Sequence, residues 1–370
     1  MSVGRSIMKT TTKCFARGAA GSPLSAKEIS RQSGTEDPNG KTVWYDCKLL
    51  ALEGKGWEAT ESYYDRLPAK ARATVPPVVW DLSHDTAGMF VRFSTDSEAL
   101  EVRWTLLKAG LAMSHMPATG VSGLDIYARD KSGKWIYQGT GRPEKTSNAR
   151  TFNVAPGSEC ILYLPLYNGL KSIEIGIPKG KTLLTPDLSG LKRGKPVVFY
   201  GTSIIQGGCA SRPGLAAVSI VSRELDVPVV NLGFSGNGRM EQALADILAE
   251  LDPSVYVLDC LWNMESGLVN ERVEPFVKTL RKARPDTPIV LVEDTSVKDV
   301  SPTEKGRVLR AVYDKLTKDG VKGIHFLPNT GMLGTDSEGT VDGCHHNDLG
   351  MMRQADVLSK ALRPLLKLAK

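Results

Sequence analysis

No run of eighteen apolar residues occurs in the chain, so no membrane-spanning helix is expected. Basic residues are in mild excess, giving a net charge of +6, but they nowhere form a block. That spread argues against a nucleic-acid partner, which calls for a concentrated basic patch. Six cysteines stand at 14, 47, 160, 209, 260 and 344, and none makes a CxxC pair. Their wide spacing argues against a zinc knuckle and against a disulfide-dense scaffold, with room left for one or two disulfides. Residues 1–40 are rich in Ser, Thr, Gly and Lys and lack the apolar segment of a signal peptide. They are expected to form a flexible leader.

What is present suffices for two cores. The chain has 370 residues, 41% hydrophobic and 24% charged, an ordinary globular balance at about twice typical domain size. Residues 41–180 show short strands and turns. Gly88–Ser94 and Leu100–Leu106 alternate apolar and polar residues, and Asp130-Lys131-Ser132-Gly133 is a hairpin-type turn. This half is expected to be an antiparallel β-sandwich. Five of the six tryptophans fall here (Trp44, Trp57, Trp80, Trp104 and Trp135). Core packing is the commoner role for such side chains, and sugar stacking the alternative. Residues 181–195 read as a linker.

After Pro196 the period changes. Apolar runs at 197–200, 227–232, 255–260, 288–292 and 323–327 alternate with helix-length stretches, and a last amphipathic stretch begins near Asn347. Strands alternating with helices imply an α/β fold, a five-stranded parallel sheet covered on both faces. The loops after parallel strands open on one edge, where such folds bind ligands. Ser203 follows the first run, the turn Gly233–Gly238 the second, and Trp262-Asn263 the third. Asp342-Gly343-Cys344-His345-His346 precedes the last helix.

These residues are the parts of an acyl-transfer site. A serine hydroxyl attacks only when a base takes its proton, and a neutral histidine suits that task. An aspartate fixes the imidazole tautomer. Backbone N–H groups and an Asn amide can hold an oxyanion. A metal site from Asp342, His345, His346 and His325 is not expected, because His325 lies within a strand pattern. No cofactor is expected either. Gly201–Gly208 lacks both the Gly-Lys-Ser/Thr ending and the GxGxxG spacing of phosphate-binding loops.

With these residues in hand, the C-terminal half resembles the SGNH/GDSL hydrolase family. Gly201-Thr202-Ser203-Ile204 resembles the first block, with Thr202 in place of the usual Asp. Phe234-Ser235-Gly236-Asn237 resembles the second. Leu261-Trp262-Asn263-Met264 stands at the third, keeping only its Asn, and Asp342-Gly343-Cys344-His345 matches D-x-x-H. The resemblance implies a flavodoxin-like doubly wound domain over 196–370. It also implies a nucleophile at Ser203, triad partners Asp342 and His345, and an oxyanion hole from Ser203, Gly236 and Asn263. His346 is the competitor of His345. It stands where the family usually has proline. Gly123-Leu124-Asp125-Ile126-Tyr127 is close to a G-x-D-L-Y signature, similar to the β-rich domain preceding one branch of these enzymes. That branch implies a carbohydrate esterase acting on an acylated saccharide, and it suggests export.

The expected activity is therefore hydrolysis of short-chain esters, acetyl first, with no nucleic-acid or membrane partner. The alternatives are an inactive glycan-binding protein and a lipase- or thioesterase-type acylhydrolase. Thr202 is expected to bond backbone, and Asp125 to tie a domain interface. Arg212 and Arg239 are expected to be solvated helix-end residues, with contact to an acidic sugar the alternative.

Overall fold

The computed structural model describes residues 13–14, 25–186, 194–298 and 300–368. Two antiparallel sheets make the N-terminal half. In one, Ala99–Leu106 pairs with Ser147–Asn153 on one side and Leu170–Pro178 on the other. In the second, Glu159–Tyr163 lies between Phe90–Thr95 and Leu124–Arg129. Along Ala99–Leu106 burial alternates with period two. Leu100, Val102, Trp104 and Leu106 share one core with Val91, Phe93, Leu124, Ile126 and Leu162 of the second sheet.

The third sheet is parallel, in the order Val229–Gly233, Val197–Gly201, Val255–Asp259, Ile289–Val292, Ile324–Leu327. Read by chain position this is 2-1-3-4-5, the flavodoxin-like order. Its strands are largely apolar, interrupted inside by Asn231 and His325, because both faces are covered. Helices Gln242–Leu248, Ser266–Ala283 and Glu304–Lys318 pack on one face through Leu244, Phe276, Leu280 and Leu309. Helices Ala217–Leu225 and Asp348–Leu365 cover the other through Val218, Val221, Met351 and Leu358. The strand order changes direction between Val197–Gly201 and Val255–Asp259, so a crevice opens at their carboxyl ends.

Several expectations change. Part of the expected flexible leader is paired strand: Ser25–Glu28 lies against Leu183–Pro186, and Thr35–Glu36 against Thr42–Asp46. Backbone pairing holds these pieces. Thr35 and Glu36 are exposed, which is why no apolar pattern marks them. Leu183–Pro186 falls inside the expected linker yet also pairs with Phe90–Thr95. Of the expected leader and linker, residues 1–12, 15–24 and 187–193 lie outside the described residues.

The two halves are joined by buried polar contacts. Asp125, fully buried, accepts from Arg212 Nη1 at 2.7 Å and from the Gly214 backbone N–H at 2.9 Å. It ties the interface, as its place inside a strand suggests. Arg212 is not the solvated residue expected: it also donates to the Tyr127 hydroxyl at 2.6 Å and lies over the Tyr137 ring. At the exposed rim of the same joint, Arg129 reaches Asp226 at 2.6 Å. Arg66, buried, donates to the Gly233 carbonyl at 2.6 Å and the Asp85 carbonyl at 2.7 Å. It thereby fixes the end of the second parallel strand from the other half of the chain. Trp104 is a core residue, 1% exposed.

Candidate active site

Ser203 opens a single helical turn, Ser203–Gln206, directly after the first parallel strand. Thr202 caps that turn, its hydroxyl accepting from the Ile204 N–H at 3.3 Å. The backbone role expected of Thr202 is thus what the structure gives. The Tyr167 hydroxyl, from the sandwich half, donates to the Ser203 carbonyl at 3.0 Å. The serine is 5% exposed, so its surroundings, not bulk water, set its chemistry.

His345 Nε2 lies 3.0 Å from Ser203 Oγ, and its Nδ1 lies 2.7 Å from Asp342 Oδ2. Asp342 Oδ1 accepts from the backbone N–H groups of His345 at 2.7 Å and Cys344 at 3.0 Å. Burial pushes the Asp342 carboxyl up, but the bonds from the His345 ring and from these two N–H groups outweigh it and hold the pKa at about 2. The carboxylate is therefore ionised throughout the neutral range, and it selects the tautomer with hydrogen on Nδ1. Nε2 is left to face the serine.

His346 points elsewhere. It is fully buried, its Nε2 lies 3.1 Å from Thr295 Oγ1, and burial pushes its pKa down to about 3. Thr295 also accepts from Trp262 Nε1 at 2.9 Å. His346 thus braces the loop that carries its neighbour. His325, half-buried in the last parallel strand, is not part of this cluster.

The second and third blocks lie beside the nucleophile turn. Gly236 sits at φ +70°, a left-handed conformation that favours glycine. Its turn is closed by the Asn237 N–H donating to the Phe234 carbonyl at 2.9 Å. A Cβ on Gly238 would stand 2.4 Å from the Gly201 carbonyl, so the turn packs against the end of the first strand only because that position is bare. Asn263 Oδ1 accepts from the Gly238 N–H at 3.1 Å. A backbone N–H can only donate, so this bond fixes the amide with its Nδ2 turned away from Gly238. Arg239 is exposed, as expected, and donates to the Gly236 carbonyl at 2.9 Å.

Three residues here were not singled out from the sequence. Gln206, fully buried, accepts from the Ser235 N–H at 2.9 Å and donates to Asp85 Oδ2 at 3.2 Å. It ties the serine turn to the glycine turn. His115, on an exposed loop of the sandwich half, has its ring 5.3 Å from that of His345. Cys209 is buried beside the same histidine pair. Gln206 follows the first block within its own helical turn. His115 and Cys209 stand in no local pattern: the packing of the two halves brings in His115, and the fold of the hydrolase half brings in Cys209, whose N–H donates to the His346 carbonyl.

Asp259, at the carboxyl end of the third parallel strand, is buried and accepts from Gln354 Nε2 at 3.0 Å. Burial first, then the charge of Asp294, pushes its pKa up to about 7, against the pull of Gln354. A carboxyl raised in the folded state favours folding below its unfolded pKa. That advantage is lost as pH rises towards about 7. Asp259→Asn should therefore raise the melting temperature at pH 8 and change it little near pH 4. Equal shifts at both values would show that the carboxyl does not titrate in this range.

Comparison with known proteins agrees with this architecture. Residues 194–363 match the GDSL-like lipase/acylhydrolase family model, and residues 42–183 match that of the GxDLY domain, the N-terminus of SGNH hydrolase-type esterases. A Bacteroides ovatus crystal structure described as a GDSL-like lipase shares 32% identity at a TM-score of 0.82, covering 89% of this chain and 99% of its own. A salicylyl-acyltransferase from a tetracycline biosynthetic pathway shares the fold at 19% identity and a TM-score of 0.68, covering 92% of this chain and 97% of its own. A family two carbohydrate esterase from Clostridium thermocellum, solved with cellohexaose, shares it at 11% identity and a TM-score of 0.55, covering 76% and 93%. The search of curated proteins found no match. The chain belongs to the GDSL-like lipase/acylhydrolase family, with a GxDLY domain at the N-terminal side of its hydrolase domain.

Proposed function

We propose that the protein is a serine esterase that hydrolyses short-chain esters, acetyl first, on a carbohydrate. The observation that carries the proposal is the contact of Ser203 Oγ with His345 Nε2 at 3.0 Å, with Asp342 behind the ring. His345 Nε2 takes the hydroxyl proton as Ser203 Oγ bonds to the ester carbonyl carbon. The negative oxygen of the tetrahedral intermediate is held by the N–H groups of Ser203 and Gly236 and by the Asn263 amide. His345 then gives its proton to the departing alcohol oxygen, leaving an acyl-enzyme. Water repeats the sequence and releases the acid. A purely glycan-binding role would leave these contacts without a use.

Membership of the family supports ester hydrolysis, and the carbohydrate esterase that shares the fold supports a saccharide as the alcohol part. The test is hydrolysis of p-nitrophenyl acetate, butyrate and octanoate, followed by a panel of acetylated glycans. A preference for acetate together with deacetylation of a glycan is the expected result. A preference for octanoate would replace this proposal with a lipase- or thioesterase-type activity.

Asn263→Ala should lower kcat by about 10²–10³, the usual effect of losing one oxyanion donor, with little change in KM. An unchanged kcat on the best ester would remove Asn263 from the oxyanion hole.

A further inference from the structure

Three side chains from three separate segments converge at the edge of the candidate active site. They are His115 from the sandwich half, Cys209 from the loop after the serine turn, and His345. One ligand atom from each lies within 4.8 Å of the other two. The segments are held in place. Met116, next to His115, is buried in the same core as Cys209 and Ala210. Thr119 Oγ1 donates to the Ser211 carbonyl at 2.6 Å, and the Cys209 N–H donates to the His346 carbonyl at 3.1 Å.

We propose that this cluster is an inhibitory site for a borderline-soft divalent cation, zinc first. One thiolate and two imidazoles are a zinc donor set, with a fourth position open to water. At zinc bond lengths of about 2.0–2.3 Å, tetrahedral donors stand roughly 3.4–3.7 Å apart. Closing on the ion thus asks for donor separations to shrink by up to about 1 Å, and the exposed His115 side chain can rotate towards the other two donors. The Asp342–His345 pair is already arranged for it. A carboxylate on one ring nitrogen orients the other towards a metal, and Asp342 holds Nδ1 at 2.7 Å. Binding replaces the Cys209 S–H bond with a sulfur–metal bond and releases the proton to solvent. It also occupies the Nε2 lone pair that would take the serine proton, so the loaded protein is inactive. This inference rests on the esterase proposal for its inhibitory part only.

The experiment uses the full chain. Zinc is titrated against p-nitrophenyl acetate hydrolysis, with magnesium and excess chelator as controls, and cobalt(II) is titrated by absorption. Zinc should inhibit reversibly. Cys209→Ser and His115→Gln should weaken inhibition at least about tenfold, each measured against its own metal-free rate. Cobalt should give a thiolate-to-metal charge-transfer band in wild type and in Ser203→Ala, and none in Cys209→Ser. The cobalt band does not need turnover, so a protein that binds cobalt but hydrolyses no ester would overturn the esterase proposal and leave the metal site standing. Absence of the band in wild type, or equal zinc inhibition in all variants, would overturn the metal site.

Discussion

Ser203→Ala is expected to lower kcat for ester hydrolysis by about 10⁶, the scale seen when the nucleophile of a triad is removed. The reason is geometric. Ser203 Oγ is the hydroxyl at 3.0 Å from His345 Nε2, and Thr202, next to it, spends its own hydroxyl on the Ile204 N–H. No acyl-enzyme can form without Oγ, and the residual rate comes from substrate binding and the oxyanion donors. Labelling by a fluorophosphonate should disappear together with turnover, since only an activated serine reacts. The melting temperature should stay near that of wild type, because alanine fits the first position of a helical turn. A fall of only about 10²–10³ would match the loss of an oxyanion donor instead, and it would place the nucleophile elsewhere.

Asp342→Asn should cost about 10⁴ in kcat, the scale of a wrong imidazole tautomer. Asn can still accept the two backbone N–H bonds through one oxygen, so the loop keeps its shape. Its NH₂ then faces His345 Nδ1 and donates to it. The ring is driven to carry its hydrogen on Nε2, where it can no longer take the proton of Ser203. Fluorophosphonate labelling should slow in parallel with turnover while KM changes little. A fall of less than about tenfold would mean that His345 does not depend on Asp342, since even a minor contribution to general base catalysis exceeds that.

The local blocks were legible because each is short and follows a strand. The order of Ser203, Gly236, Asn263, Asp342 and His345 along the chain needs no tertiary information. The alternation in Ala99–Leu106 and the apolar run Val197–Gly201 likewise mark a half-buried strand and a fully buried one. The strands Ser25–Glu28 and Thr35–Glu36 were not legible, because backbone pairing rather than apolar burial holds them. The interface role of Arg212 was hidden for a related reason: its partners Asp125 and Tyr127 lie more than eighty residues away.

The sequence by itself determined the fold class, the two-part organisation and the candidate nucleophile, base and orienting acid. Period and local motif are properties of consecutive residues. The D-x-x-H match already preferred His345 over His346, and the tertiary structure adds where each ring goes: His345 Nε2 lies 3.0 Å from Ser203 Oγ, whereas His346 is buried beside Thr295. The tertiary structure alone placed His115 and Cys209 beside His345, since contacts between distant segments, across the two halves or within one, leave no periodic trace. A side chain's chemistry is written at its position, whereas its neighbours are set by how distant segments pack.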